Sequence, residues 1–557
     1  MLKLFSLCKP YLLTCKYRIG VYLAISLTTT ILTILSPYII GSFLDVLITG
    51  ADVGIILRFC AVFGGLNLIK IVNDYLVAIM RIKIINETSY DLKMDAIKHI
   101  QKASLSYIYG KDRAYLTQTI ASDSRELIIF CLSISQNVIM HLISLIVPLG
   151  ILLSINWLTA VLMITFLLLY MILYRIFKES LHKVGFAFKE AQSTYFSGLL
   201  EQLKHVKLIK VNSIQKEMNR RAYHSFMVFN HAAISKRKVS HLYSGLDGIV
   251  STIAQITLFL IGGLQILAGN FTIGMFTIFS SYFNMMLSSS RYFFSLGALY
   301  QDILVSYRRI NEVFAQKQES CGKKTIDKIE QIQLRHVNFT YPLNNGGANR
   351  NDKLTDHDKH AKQIINNFCA DFSKGKIYTI TGINGAGKST LLSLIMGLYI
   401  DEFTGVISYD GIDIRQLDML AIRKHLIGFA EQEPLLVTDS IRYNLDFGSD
   451  DEINIESLQK YIAILNMKDF FLTRTLDFRI NEGNTNTSGG EKQKVAILSV
   501  LNKDPLVMIF DEPTSALDRE TTEEFIKYLR LIKEHKIIIM ITHDEKIKSW
   551  SDEVIAL

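Results

Sequence analysis

A glycine-rich segment that ends in lysine and serine could hold the phosphates of a nucleotide. Residues 381–390 read TGINGAGKST, in which Gly382, Lys388 and Ser389 follow the spacing G-x-x-x-x-G-K-[ST]. In such a loop backbone N–H groups surround the phosphates, the lysine places its charge beside them, and the serine hydroxyl ligates Mg²⁺. The flanking residues predict a strand and then a helix, so the phosphate would lie at a helix N-terminus. An ordinary glycine-rich turn is the alternative, which the strand, lysine and helix disfavour.

Two adjacent carboxylates supply a second possible chemistry. Asp511 and Glu512 follow an apolar run, 506–510, that predicts a buried parallel strand. Ligands bind at the carboxyl ends of such strands, so Asp511 is placed to hold Mg²⁺ and Glu512 to activate a water as general base. The alternative is that the two acids cap a helix, and the phosphate loop makes that alternative weaker.

A second glycine pair predicts another anion site. Ser488, Gly489 and Gly490 stand just before a predicted helix, where exposed backbone N–H groups attract anions. The loop at 381–390 is already predicted to bind the phosphates of one nucleotide. The sequence therefore suggests that a second copy of the chain closes over the nucleotide.

The elements that must position these residues divide the chain into two halves. Of the 557 residues, those up to about 300 are dominated by long apolar runs, and the rest resemble a soluble α/β protein. A mean hydropathy of +0.25 with 20% charged residues fits such a mixture. About 20 residues cross the hydrocarbon core of a bilayer, so the runs predict membrane spans rather than the alternative, buried core helices. The six predicted spans are 19–47, 54–79, 127–153, 156–177, 243–268 and 271–298.

The basic residues indicate the orientation of the spans and argue against nucleic acid as a partner. Lys and Arg are absent from the short connections 48–53, 154–155 and 269–270, and frequent in the long connections 80–126 and 178–242. The positive-inside bias then puts both termini and both long connections in the cytoplasm. Charge placed in this way faces anionic lipid, and we see no nucleic-acid-binding motif. The six cysteines have no paired spacing, as expected in a reducing compartment.

Taken in order, these motifs resemble those of ABC transporters. The soluble half is similar to the nucleotide-binding domain of that family. The whole chain resembles an exporter-type half-transporter, in which one membrane domain precedes one ATPase domain. The resemblance implies an all-α polytopic membrane domain at 1–315, with six transmembrane helices and long cytoplasmic extensions. It implies an α/β P-loop NTPase domain of ABC type at 316–557.

The resemblance also implies roles for individual residues. Glu512 matches the catalytic base, His543 the switch histidine and Gln432 the glutamine of the Q-loop. Ser389, Gln432 and Asp511 match the residues that hold Mg²⁺. The implied contacts to ATP come from a base-stacking aromatic residue, the phosphate loop, the signature motif and one aspartate. They are Tyr341, Gly382, Asn384, Gly385, Gly387, Lys388, Ser389, Thr390, Ser488, Gly489, Gly490, Glu491 and Asp518.

Further matches lie in segments that would connect the two domains. Asp123 resembles the aspartate after the first cytoplasmic coupling segment of the family, and Glu201 with the run 207–212 resembles the second. Glu482 resembles the acidic residue that precedes the signature motif. These matches imply that the long cytoplasmic connections transmit movement between the ATPase and the spans.

Two positions and one longer stretch depart from the pattern of the family. Thr487 stands where leucine is usual, and Asn484 stands where glycine is usual. The polar stretch 342–363 is longer than the usual turn, and we expect it to be a mobile loop.

The resemblance implies export driven by ATP. Two copies would sandwich ATP and move a substrate across the cytoplasmic membrane of a bacterium by alternating access. A homodimer is the simplest assembly, because every motif for hydrolysis is present, and a heterodimer stays possible. The substrate would be a peptide or an amphipathic, lipid-like compound. An ATP-gated channel or regulatory ABC protein and a lipid flippase stay open as alternatives, while the spans disfavour a soluble P-loop kinase.

Polar residues in the inner halves of the predicted spans mark a possible substrate cavity. Intramembrane polar groups usually face a bundle interior or a cavity. Asp247 and Arg291 should lie at a similar depth, and we expect them to pair. Helix–helix packing is the alternative for the whole set, which comprises Gln136, Asn137, His141, Asp247, Gln255, Asn284 and Arg291.

Overall fold

The computed structural model describes residues 2–50, 52–109, 113–341, 363–447, 453–481, 485–515 and 517–557. The predicted mobile loop at 342–363 lies outside the described residues, except for Gln363. Glu482 and Asn484 also lie outside them.

Long helices form the first of two compact units, which comprises Met1–Ile97 and Thr117–Phe314. Among the described residues, six helices have 32 or more residues, and each predicted span coincides with part of one of them. Where a predicted span extends past the end of its helix, it does so by at most two residues. The helices before residue 315 are α1 (Leu2–Thr14), α2 (Lys16–Ile48), α3 (Val53–Gln101), α4 (Leu105–Tyr109), α5 (Arg113–Gln118), α6 (Ser124–Ile155), α7 (Trp157–Lys204), α8 (Val206–Val211), α9 (Gln215–Leu267) and α10 (Ile273–Phe314).

Four helices of the described residues are long and apolar enough to cross a membrane. Their most apolar windows have mean hydropathies from 1.8 to 2.5. They are Lys16–Ile48, Val53–Gln101, Leu116–Ile155 and Gln215–Leu267. The count of six spans stays a prediction, because α7 and α10 are not among these four.

A close crossing joins α2 to the start of α10. A Cβ atom on Gly274 would lie 2.1 Å from the carbonyl oxygen of Gly41, so only glycine fits there. Beside the crossing, the Asp45 carboxylate accepts hydrogen bonds from the Thr272 hydroxyl and the Gly274 N–H, each at 2.7 Å. The carboxylate thus caps the positive end of α10 and holds the two helices together there.

The expected pairing of Asp247 with Arg291 is confirmed. Arg291 Nη2 lies 2.8 Å from Asp247 Oδ2 and donates to the Tyr170 hydroxyl at 3.0 Å. That hydroxyl donates in turn to the Asp247 carbonyl oxygen at 2.7 Å. The cluster connects α7, α9 and α10. On the next residue of α10, the Tyr292 ring stacks on His141 with 4.3 Å between ring centroids.

A short π-helix, Thr119–Asp123, precedes α6. Its last residue, Asp123, is buried and accepts a hydrogen bond from Ser306 Oγ at 3.1 Å. Arg309 Nη1 lies 3.6 Å from the same carboxylate. Asp123 therefore anchors the start of α6 to the C-terminal part of α10.

Two sheets form the second unit, which comprises Lys98–Leu116 and Ala315–Leu557. Its strands are β1 (Gln331–Thr340), β2 (Gln363–Ser373), β3 (Ile377–Thr381), β4 (Phe403–Tyr409), β5 (Ile412–Asp413), β6 (Ile427–Ala430), β7 (Val507–Asp511), β8 (Ile537–Ile541) and β9 (Glu553–Ala556). Its further helices are α11 (Lys388–Ile395), α12 (Met419–His425), α13 (Ile441–Asp446), α14 (Ile455–Ile464), α15 (Lys468–Thr473), α16 (Gly489–Lys503), α17 (Arg519–Ile532) and α18 (Glu545–Trp550).

The five-stranded sheet positions most of the predicted chemistry. Its strands are all parallel, in the order β6-β7-β8-β3-β9. The apolar strands β7 and β8 are buried at every residue, and β3 is buried up to its last one. The loops after these strands therefore start from one rigid edge, where parallel sheets bind ligands. The other sheet is antiparallel, in the order β2-β1-β4-β5.

Within the second unit, residues 98–109 pack against the sheets. Leu105 lies against the buried core of the sheets, and the Ser106 hydroxyl donates to the Glu402 carboxylate. The connection that follows α10 is bound at the same place, because Glu319 N–H donates to the Lys102 carbonyl oxygen at 2.7 Å. The segment that precedes residue 110 and the connection that follows α10 thus contact each other within the second unit.

Candidate nucleotide-binding site

The phosphate loop runs from the end of β3 into α11. Its glycines take left-handed backbone conformations, with φ of +155° at Gly382 and +100° at Gly387. A Cβ atom on Gly387 would also lie 2.6 Å from a methyl group of Ile364. Gly387 precedes α11 without a side-chain cap, so the first N–H groups of the helix are available to an anion. Asn384 and Gly385 form the turn between the two ends of the loop.

Lys388 and Ser389 are held by groups that phosphate or metal would replace. Lys388 is buried, and its Nζ donates to the Gly382 carbonyl oxygen at 2.8 Å. The same Nζ lies 3.3 Å from His543 Nε2. Ser389 Oγ donates to Asp511 Oδ2 at 2.8 Å, which joins the loop to the end of β7. Burial raises the pKa of Asp511 above its usual range, against the opposing effect of the bond from Ser389.

Glu512 stands in a strained conformation at the centre of the site. Its φ is +47°, a left-handed value that residues with side chains adopt at a cost. Gln432 Nε2 donates to Glu512 Oε2 at 2.7 Å, and His543 Nε2 lies 3.5 Å from Oε1. The structure therefore brings all three predicted catalytic residues together.

Gln493 is a site residue that the sequence analysis missed. It lies on α16 and is buried, and its Nε2 donates to the Glu512 carbonyl oxygen at 2.7 Å and to Ser515 Oγ at 3.1 Å. Those two bonds fix the strained backbone at Glu512. A signal was present in the sequence, because Gln493 is polar on a face of α16 that is otherwise apolar, including Ile497 and Val500.

Tyr341 lies directly after β1, against the helix of the phosphate loop. Its hydroxyl is 2.9 Å from Thr390 Oγ1. Its ring meets Phe339 and Tyr399 edge to face, with centroid distances of 4.9 and 5.8 Å. Since the residue is 40% exposed, the ring offers an aromatic surface beside the loop, on which a base can stack.

The signature motif forms a separate cluster at the start of α16. Ser488 Oγ accepts from Glu491 N–H at 3.2 Å, and the Glu491 carboxylate accepts from Ser488 N–H at 2.7 Å. This reciprocal pair is a capping box. Beside Gly489 a Cβ atom would meet nothing within 4 Å, so the start of the helix is open there. Asp518 caps α17 by accepting from Thr521 N–H at 2.8 Å.

The predicted metal ligands fit Mg²⁺ by their chemistry. Ser389 and Asp511 present a hydroxyl and a carboxylate in direct contact, and Gln432 adds an amide next to Glu512. Hard oxygen donors with one carboxylate are typical of Mg²⁺ sites that the phosphates of the substrate complete.

Two family models match the chain. The one described as ABC transporter transmembrane region matches residues 19–290, and the one described as ABC transporter matches residues 365–515. The second match contains the phosphate loop, the signature motif and the carboxylates at the end of β7. The predicted order of a helical membrane domain and an α/β ATPase domain is thereby confirmed.

Curated relatives are similar along most of the chain. The lactococcin-A transport/processing ATP-binding protein LcnC of Lactococcus lactis is 22% identical over 96% of this chain and 72% of its own length. The beta-(1→2)glucan export ATP-binding/permease protein NdvA of Bartonella bacilliformis is 24% identical over 93% of this chain and 84% of its own. ABC transporter B family member 1 of Dictyostelium discoideum is 30% identical, and the match spans 54% of this chain but only 32% of that protein.

A solved structure has the same fold along nearly the whole chain. It is the structure of a bacterial Atm1-family ABC exporter with ATP bound, at a TM-score of 0.79 and 19% identity. The likeness covers 98% of this chain and 93% of that one.

Proposed function

The chain belongs to the ABC transporter family as a half-transporter of the exporter type, and we propose that it exports a peptide or an amphipathic, lipid-like compound by ATP-driven alternating access. One observation carries the proposal. Lys388, His543, Glu512 and Gln432 form a single chain of contacts beside the bonded pair of Ser389 and Asp511. Phosphate binding, general-base and metal-binding groups thus adjoin one another.

In this proposal the residues of the phosphate loop act first. Lys388 exchanges its bond to the Gly382 carbonyl oxygen for the β- and γ-phosphates, which are stronger acceptors because they are charged. The N–H groups at the start of α11 receive the same phosphates. His543 loses its lysine contact and is left beside Glu512, where a γ-phosphate oxygen would accept its hydrogen bond.

Glu512 is the proposed general base. Its carboxylate takes a proton from water while the water oxygen bonds to the γ-phosphorus, and the bond from that phosphorus to ADP breaks with the electron pair leaving on ADP. Gln432 and the backbone bond from Gln493 hold the carboxylate in place. Mg²⁺, held by Ser389, Asp511 and Gln432, would offset the negative charge of the phosphates.

A second copy of the chain is the proposed partner, as a homodimer or a heterodimer. Large apolar side chains are exposed on α7 and α8 well beyond residue 177, the predicted end of the span. Leu203 is 73% exposed and Val211 75% exposed. Apolar surface of this kind outside the hydrocarbon calls for a protein partner, and α8 includes residues 207–211 of the predicted second coupling segment, 207–212. We propose that it docks on the ATPase domain of the second copy.

The proposed substrate cavity lies at the inner ends of the spans. The Asp247–Arg291 pair and the stacked rings of His141 and Tyr292 offer charge, hydrogen bonds and aromatic surface on neighbouring helices. Such a set suits a compound that is both polar and apolar. The relatives named above for lactococcin transport and glucan export support export as the direction. We further propose that both termini and the ATPase domain lie in the cytoplasm of a bacterium.

Reconstituted vesicles test the proposal. Purified protein is placed in liposomes of native lipid, and ATP hydrolysis is screened for stimulation by peptides, lipids and amphipathic compounds. For each stimulating compound, ATP-dependent movement is then measured after all gradients have been dissipated, with Glu512→Gln as the inactive control. Net accumulation without an imposed gradient, when it requires hydrolysis, supports an exporter. Net movement only when a gradient is imposed would instead establish an ATP-gated channel, and movement of labelled phospholipid between leaflets a flippase.

A further inference from the structure

A carboxylate stands at the N-terminus of the helix that carries the signature motif. Glu491 is the third residue of α16. Burial works against its charged form, yet the N–H of Ser488 and the guanidinium of Arg474 hold the pKa of Glu491 below its usual range. The side chain is therefore negatively charged at neutral pH.

That charge opposes the anion site at the same place. The open N–H groups of Gly489 and Gly490 attract phosphate through the positive end of α16. A carboxylate in the same helical turn repels phosphate, since like charges a few ångströms apart interact strongly wherever water is excluded. A cation that offsets the charge of Glu491 removes this repulsion.

Arg474, at the end of α15, supplies such a cation. Its Nη1 lies 2.5 Å from Glu491 Oε1. The guanidinium also lies over two aromatic rings, 4.7 Å from the centroid of Phe470 and 5.2 Å from that of Phe478. Only 24% of the arginine side chain is exposed. The rings fix the charge in one position, which distinguishes this pair from a solvated surface contact.

We propose that Arg474 is a positioning residue for ATP, which neutralises Glu491 so that Gly489 and Gly490 can receive the triphosphate bound by a partner copy. The inference rests on the proposed function, in which the signature motif of one copy meets the nucleotide of the other. Arg474 belongs to no motif and lies 17 positions before Glu491. Only the fold brings the two side chains together.

A double-mutant cycle tests the proposal on the full chain in lipid. Arg474→Met keeps an unbranched side chain between the rings and removes the charge. Arg474→Met is compared with the unchanged arginine in two backgrounds, one that keeps Glu491 and one that carries Glu491→Gln. All four proteins also carry Glu512→Gln, which prevents turnover. The readout is the ATP concentration at which closure of the two ATPase domains is half-maximal. Closure is detected as a shorter distance between spin labels on the two domains. Arg442→Met, at an exposed pair with Asp477, is the matched control.

Arg474→Met should raise that ATP concentration about tenfold or more when Glu491 is present. In the Glu491→Gln background the same change should have little effect, and the tenfold rise should shrink in high salt because the repulsion is screened. Arg442→Met should leave closure unchanged. If Arg474→Met raised the ATP concentration equally in both backgrounds and also lowered the thermal transition temperature, Arg474 would act only through packing, and the inference would be overturned. If the parent itself showed no closure with ATP, the proposed function would fail instead.

Discussion

The phosphate-loop face and the signature face of one chain are built in opposite ways. On the phosphate-loop face Lys388, Ser389, Asp511, Glu512 and His543 contact one another. On the signature face the side chains of Ser488, Glu491 and Arg474 are bonded within the capping box and the ion pair, and the N–H groups of the glycines stay open. The first face must therefore exchange its internal contacts when ATP binds, whereas the second is already organised to receive an anion.

The difference follows from how far apart along the chain the contacting residues of each face lie. Lys388 and His543 are 155 positions apart, and Ser389 and Asp511 are 122 apart. Those contacts exist only because β3, β7 and β8 are neighbours in one sheet. The capping box of the signature face spans three positions. We therefore expect the first face to be sensitive to single substitutions in its network, and the second to respond chiefly to charge.

Removing the proposed base should have the largest effect. Glu512→Gln keeps the size of the side chain and a hydrogen-bonding oxygen, but it cannot take the proton from water. Turnover of ATP should fall by about a hundred- to ten-thousandfold, while ATP binding persists. Steady-state hydrolysis and equilibrium binding by the protein in lipid measure the two. Glu534→Gln, at an exposed position, is the control, and hydrolysis at the normal rate by Glu512→Gln would show that another group is the base.

Removing the lysine should act on binding itself. Lys388→Ala deletes the charge that is held at the Gly382 carbonyl oxygen for exchange with phosphate. The affinity for ATP should fall by about ten- to a hundredfold, as expected when a charged hydrogen bond is lost. Isothermal titration with ATP on the full chain measures it. Unchanged affinity would mean that the backbone N–H groups of the loop suffice, and that the two faces are less different than the contacts indicate.

The buried glutamine offers a finer test of the first face. Gln493→Leu removes the bonds to the Glu512 carbonyl oxygen and to Ser515. Leaving the Glu512 carbonyl buried without a donor should cost about 1–3 kcal/mol of stability, and the strained carboxylate should lose its position. Turnover should fall more than ATP affinity does. Ser515→Ala, which keeps the bond to Glu512, should have a smaller effect on both, and equal effects would argue that Gln493 does not position the base.

Motif residues were predictable from sequence because their spacing is local. The loop from Gly382 to Ser389, the carboxylates after β7 and the capping box each lie within ten consecutive residues, and the structure places each where the pattern indicates. The strands β3, β7 and β8 were predictable in kind because each is a continuous apolar run. The Asp247–Arg291 pair was predictable from depth alone, since a lone charge in a membrane segment demands a partner.

What could not be predicted depends on contacts between distant segments. Gln493 and Arg474 belong to no motif, and their partners become neighbours only when α15, α16 and β7 pack together. The packing of residues 98–109 against the rest of the ATPase unit has the same origin, because Ser106 meets Glu402 across 296 positions. The long helices pose a further limit. An apolar run specifies a helix but not which face meets another helix, so the close crossing at Gly41 and Gly274 had no sequence signal.

The smallest expected effect concerns the aromatic residue beside the phosphate loop. Tyr341→Phe keeps the ring and removes the hydroxyl that lies 2.9 Å from Thr390 Oγ1. A neutral hydrogen bond contributes about 1 kcal/mol, so the affinity for ATP should change by about fivefold at most if stacking is the main role of the ring. Tyr341→Ala is the matched variant, and the loss of a stacked base should cost it about 1–3 kcal/mol. A titration of the two variants with ATP and with inorganic triphosphate separates the roles, because triphosphate has no base. If Tyr341→Ala lost the same affinity for ATP as for inorganic triphosphate, the ring would support the phosphate loop through Thr390 rather than stack on adenine. Tyr341 would then belong to the internally bonded network of the phosphate-loop face.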